Sequence, residues 1–70
     1  MTPEQKARAI QMLPTLPKID AFSAAIAYQR QYQEHIDWHE FSILFERLSN
    51  QGILKVVSGG GMTEYALARK

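Results

Sequence analysis

Seventy residues with 46% apolar and 21% charged side chains and no cysteine make one small domain, residues 1–70, with a single core and no disulfide staple. Eight Lys and Arg stand against seven Asp and Glu, and the resulting net charge of +1 gives no strong pull toward nucleic acid, membrane or an acidic partner. The start MTPEQKARAIQML has no signal-peptide core, and no run nears the roughly 20 apolar residues that span a bilayer, so a soluble, cytoplasmic protein is expected.

In chain order, Thr2 is the expected N-cap of a first helix, with Pro3 preset at its first position, Gln5 completing a capping box, and an end before Pro14. At about 100° per residue, Ala7, Ile10 and Leu13 share its inward face, while Gln5, Arg8 and Gln11 point away. Residues 13–19, LPTLPKI, hold two prolines and read as a rigid connector. Asp20 then caps a second helix, AFSAAIAYQRQYQ. Its apolar arc comprises Phe22, Ala25, Ile26, Tyr28 and Tyr32, with Ser23, Ala27, Arg30 and Gln31 outside it.

The next stretch, IDWHEFSILFERLSNQGILKVVSGGGMTEYAL, is the richest in local signals. Asp37 caps a third helix, Glu40 stands where it can reach back to the cap, and Ile36 and Phe41 occupy the two positions of a hydrophobic staple. Phe41, Leu44, Phe45 and Leu48 face inward with Trp38 at the edge; His39, Ser42, Ile43, Glu46, Arg47 and Asn50 face outward. Gly52 follows where a left-handed residue ends the helix, and Ile53 falls at the apolar position of a Schellman ending. Residues 53–57 and 63–68 read as two strands joined by a turn with three consecutive glycines, and Leu54, Val56, Tyr65 and Leu67 form their expected buried face.

Three helices, a helix ending in L-x-x-x-G-I-L (residues 48–54) and a glycine-tipped hairpin returning through Tyr65-Ala66-Leu67 together resemble a winged helix-turn-helix domain. The resemblance implies a mainly α fold with a two-stranded wing and a minor strand between the first two helices, which Pro17 would reduce to a remnant by removing a donor. It also implies a DNA-binding mode, with the third helix in the major groove and the wing on the backbone or minor groove. Carried onto this chain, the contact residues are Trp38, His39, Ser42, Ile43, Glu46, Arg47 and Asn50, with Lys55 and the backbone of Gly59 to Gly61 from the wing.

One feature of the composition runs against that mode. The third helix carries Asp37, Glu40 and Glu46 against the single cation Arg47, whereas affinity for DNA comes largely from cations neutralising phosphates. Ile43, in the middle of the outward face, suits either a thymine methyl or an apolar patch on a protein.

Enzyme chemistry finds no footing. Ser58-Gly-Gly-Gly joins two strands and precedes no helix, unlike a phosphate loop, and no nucleophile elbow surrounds a serine. His35 and His39 have the four-residue spacing of a metal pair, but a cap at Asp37 leaves His35 outside the helix. Tyr28 and Tyr32 read as core; Trp38 reads equally as core or contact residue. The expectation is a non-enzymatic DNA-binding protein, such as a transcriptional or mobile-element regulator, without cofactor or metal. The alternative is an adaptor that binds protein through the same face. A chain of this length would dimerise through its first helix or its strands, or act as a monomer beside a larger complex.

Overall fold

The computed structural model describes residues 1–58 and 63–68. Three helices, α1 (Pro3–Met12), α2 (Ala21–Tyr32) and α3 (Trp38–Asn50), pack with a small antiparallel sheet of β1 (Ile19–Asp20), β2 (Leu54–Ser58) and β3 (Glu64–Leu67). The strand order is β1-β3-β2, so the last strand lies between the other two. Among the described residues no helix is long and apolar enough to cross a membrane.

Local capping starts each helix where the sequence places it. The N–H of Gln5 donates to Thr2 Oγ1 at 3.1 Å and the N–H of Thr2 donates to Gln5 Oε1 at 2.8 Å, a complete capping box. The connector after α1 begins as a 3-10 turn, Leu13–Thr15, in which the Thr15 hydroxyl donates to the Met12 carbonyl at 2.7 Å. It then runs into β1, where Ile19 pairs with Tyr65 and Asp20 with Glu64. Pro17 lies before this strand, which is why the missing donor shortens β1 without abolishing it. Asp20 is buried, and its carboxylate accepts from the Ser23 N–H at 2.7 Å and from the Ser23 hydroxyl at 3.1 Å. Those bonds offset the desolvation that burial imposes.

The end of α2 carries no glycine. Gln33 adopts a left-handed conformation, φ 57°, and its N–H donates to the Gln29 carbonyl, turning the chain toward α3. At the end of α3, the Gly52 N–H donates to the Ser49 carbonyl and the Ile53 N–H to the Leu48 carbonyl, with Gly52 at φ 81°. This is the Schellman ending expected from Gly52 and Ile53. The carbonyl of Ile53 in turn accepts from the N–H of Ala68, just beyond β3.

The core comprises Ala9, Met12 and Leu13 from the first segment, Ala21, Ala24 and Tyr28 from α2, and Phe41, Leu44, Phe45 and Leu48 from α3, closed by Ile19, Ile36 and Leu54. The inward face expected for α3 is therefore observed, and Ile36 and Phe41 are both buried as a staple requires. For α1 the expected face holds at Leu13 and is corrected elsewhere: Ala7 and Ile10 are exposed, and Ala9 and Met12 take the core positions. For α2 the expected arc holds at Tyr28, which is buried, and is corrected at Phe22 and Ile26, which are 52% and 42% exposed while Ala21 and Ala24 are buried. The α2 and α3 helices pack against each other, with Tyr28 of α2 set edge-on to Phe41 of α3 at 5.8 Å between ring centroids. In the sheet, Leu54 is buried but Val56 and Leu67 are exposed and Tyr65 is half-buried. Val56 pairs with Tyr65 but Ser58 with Glu64, so Val57 is an extra, bulged residue.

Candidate binding face on the third helix

Asp37 accepts the His39 N–H at 3.0 Å, and the same oxygen lies 3.0 Å from His39 Nδ1. These two contacts, the backbone one first, hold the Asp37 carboxyl below the usual carboxylate range. The Glu40 box is corrected: the Glu40 carboxylate pairs with the Met1 amino group and does not fold back on the cap. The Trp38 and His39 rings stack with centroids 3.9 Å apart and planes at 25°. Trp38 is 37% exposed, the edge position expected of it.

Beyond that stack, Ile43, Glu46, Arg47 and Asn50 are exposed and Ser42 is half-buried. Ile43, at 54%, is the most exposed apolar side chain on the helix. Burial of Tyr65, and secondarily the charge of Glu46, push the Tyr65 hydroxyl above its usual range. Lys55 is exposed on β2, opposite Ala66. Gly59, Gly60 and Gly61 lie outside the described residues.

Tertiary structure changes the charge balance of this face. A cleft of about 260 Å³ runs between α1 and α3, lined by Met1, Lys6, Glu40, Ile43, Leu44 and Arg47. Lys6 thus joins Arg47 beside Ile43. Of the three carboxylates on the segment, Glu40 is paired with the Met1 amino group and Asp37 accepts the cap bond, whereas Glu46 has neither among the described residues. Lys6 was not legible as a contact residue, because only the packing of α1 against the rest of the fold brings it here.

Arg8, Lys18 and Arg30 do not line this cleft. Arg8 sits 3.6 Å from Glu34 and 3.7 Å from Glu4, and Lys18 sits 3.7 Å from Glu64. Lys18 and Arg30 line a separate groove on the outer side of α2. His35 lies in the loop before α3, apart from the helix that carries His39. Among the described residues no three His, Cys, Asp or Glu side chains gather as a metal site. The chain matches no protein-family model, no curated protein and no solved structure, so its own residues carry any functional reading.

Proposed function

We propose that this chain is a winged helix-turn-helix domain that binds duplex DNA as a regulator of transcription or of a mobile element, with α3 in the major groove and the β2–β3 hairpin as its wing. Support for the fold name comes from the element order α1-β1-α2-α3-β2-β3 and the central position of β3. Support for the function rests on one observation: Lys6 and Arg47 line the same cleft as Ile43, where Glu40 is paired with the Met1 amino group, so the face gains a second cation that α3 alone lacks. In this reading Arg47 contacts a phosphate or the O6/N7 edge of a guanine, Ser42 and Asn50 donate hydrogen bonds, and Ile43 meets a thymine methyl. Lys6 and Lys55 neutralise backbone phosphates on either side.

The test is duplex selection from a random library, followed by titration of the enriched DNA at several salt concentrations. With a handful of phosphate contacts at about −0.9 each, the log–log slope is expected at about −3 to −5. Lys6→Ala reduces that slope by about one without changing sequence preference, whereas Arg47→Ala costs about 1 to 3 kcal/mol if it reads a base. No salt-sensitive shift of any duplex at low ionic strength overturns the reading.

One observation favours a second reading. Ile43 is more than half exposed, with the Trp38–His39 stack on the same helix, and an aromatic and an aliphatic anchor on an uncovered face also suit a protein partner. As an adaptor the domain would lose partner capture on Ile43→Asp and keep it on Arg47→Ala.

A further inference from the structure

A second exposed surface lies on α2, sharing no residue with the cleft beside α3. A groove of about 510 Å³ runs between the 16–18 segment and α2, with Leu16, Pro17, Ile26 and Ala27 as its apolar lining and Lys18 and Arg30 as the charged residues at its border. No carboxylate lines it. Phe22, one turn before Ile26 on the same stripe, prolongs the exposed apolar surface. The lining along α2 extends from Ser23 to Gln31, which at 1.5 Å per residue is about 12 Å, or roughly two helical turns.

We propose that this groove docks about two turns of an amphipathic helix from a partner protein, with apolar anchors at i, i+3 or i+4, and i+7 and carboxylates on its flanks. The length fits, because anchors at i and i+7 stand about 10.5 Å apart. The charge selects the partner. Among the described residues Arg30 has no ion-pair partner, and Lys18 has only Glu64 at 3.7 Å. An acidic flank would pair with both. A second copy of the chain meeting this groove face to face would bring Lys18 and Arg30 against their own kind, which opposes a symmetric dimer here. Duplex DNA gains little from Leu16, Pro17, Phe22 and Ile26, since its outer surface is phosphate. The face is thus separate from the one proposed to bind DNA and does not depend on that reading.

The probes are two displayed libraries of helical peptides with randomised apolar anchors at i, i+3/i+4 and i+7, one with glutamate flanks and one with lysine flanks. The whole chain is expected to enrich binders from the glutamate library at least tenfold over the lysine library. Ile26→Asp should abolish capture, and Lys18→Glu with Arg30→Glu should reverse the preference. These side chains are exposed or border the groove, and thermal melts of each variant establish that the fold survives. No enrichment, equal enrichment from both libraries, or capture that persists in Ile26→Asp overturns the proposal. Sedimentation showing a dimer that Ile26→Asp converts to monomer overturns it in favour of a second copy. Loss of duplex binding in Arg30→Glu, with peptide capture unchanged, overturns it in favour of DNA.

Discussion

At the scale of single residues, Tyr28 is a buried polar group that bridges separate segments of the chain. Fully buried, it donates its hydroxyl proton to Glu34 at 3.0 Å and accepts from Arg8 Nη1 at 3.3 Å, joining α1, α2 and the loop that follows α2. Tyr28→Phe keeps the ring and removes the junction, so a loss of about 1 kcal/mol is expected, read as a lower midpoint in urea with an unchanged slope. Asp37 gives a pH-dependent counterpart. A carboxyl whose pKa falls on folding adds stability above its unfolded value, near 3.8 here, and that contribution disappears as the pH drops through the lower folded value. The difference in melting temperature between wild type and Asp37→Ala should therefore be a few degrees near pH 7 and should shrink steadily below about pH 4. A difference that stays constant into acid would show that the carboxylate charge is not what caps α3.

At the scale of elements, cap chemistry is local and hence legible: Thr2, Asp20, Asp37 and Gly52 each do what their neighbours in sequence predict. Helix faces are less so. In α3 four large apolar residues, Phe41, Leu44, Phe45 and Leu48, fall on one stripe, and that stripe is the buried one. In α2 hydrophobicity points to Phe22 and Ile26, but the buried stripe is Ala21, Ala24 and Tyr28, a choice that depends on neighbours the wheel does not contain. The bulge at Val57 is likewise a property of the pair of strands, and Lys6 reaches the α3 cleft only through tertiary packing. Gly52 provides the test at this scale. A Cβ there meets nothing within 4 Å, so Gly52→Ala is charged only with its left-handed backbone, about 1 to 2 kcal/mol, and Gly52→Asn should cost less. Equal stability of all three would contradict the positive φ.

At the scale of the whole molecule, the Cα radius of gyration is 11.0 Å, close to the roughly 11 Å expected of a compact chain of this length. A domain of this size has little stability to spare. Phe45 is fully buried, with edge contacts to Phe41 at 6.1 Å and Tyr65 at 5.7 Å, so it ties α3 both to its own preceding turn and to the sheet. Phe45→Ala should cost about 3 to 5 kcal/mol, comparable to the lower end of the total stability of about 5 to 15 kcal/mol typical of folded domains. The variant is expected to be largely unfolded near its parent's melting temperature by circular dichroism, and a shift of only a degree or two would mean that Phe45 is not central.

Ile53 gives the fold a mechanical property. Its N–H is held by the last turn of α3 and its carbonyl by the N–H of Ala68, so the two peptide groups flanking one residue are clasped, one by the helix end and the other by the returning strand. Twisting the helix end without dragging the strand would break one of these two bonds. In hydrogen exchange, the amides of Ile53 and Ala68 should open together, at one common rate, and Gly52→Ala should speed both by a similar factor. A ligand that grips α3 would then be felt at the hairpin as a change in exchange, even where it touches none of the hairpin's atoms.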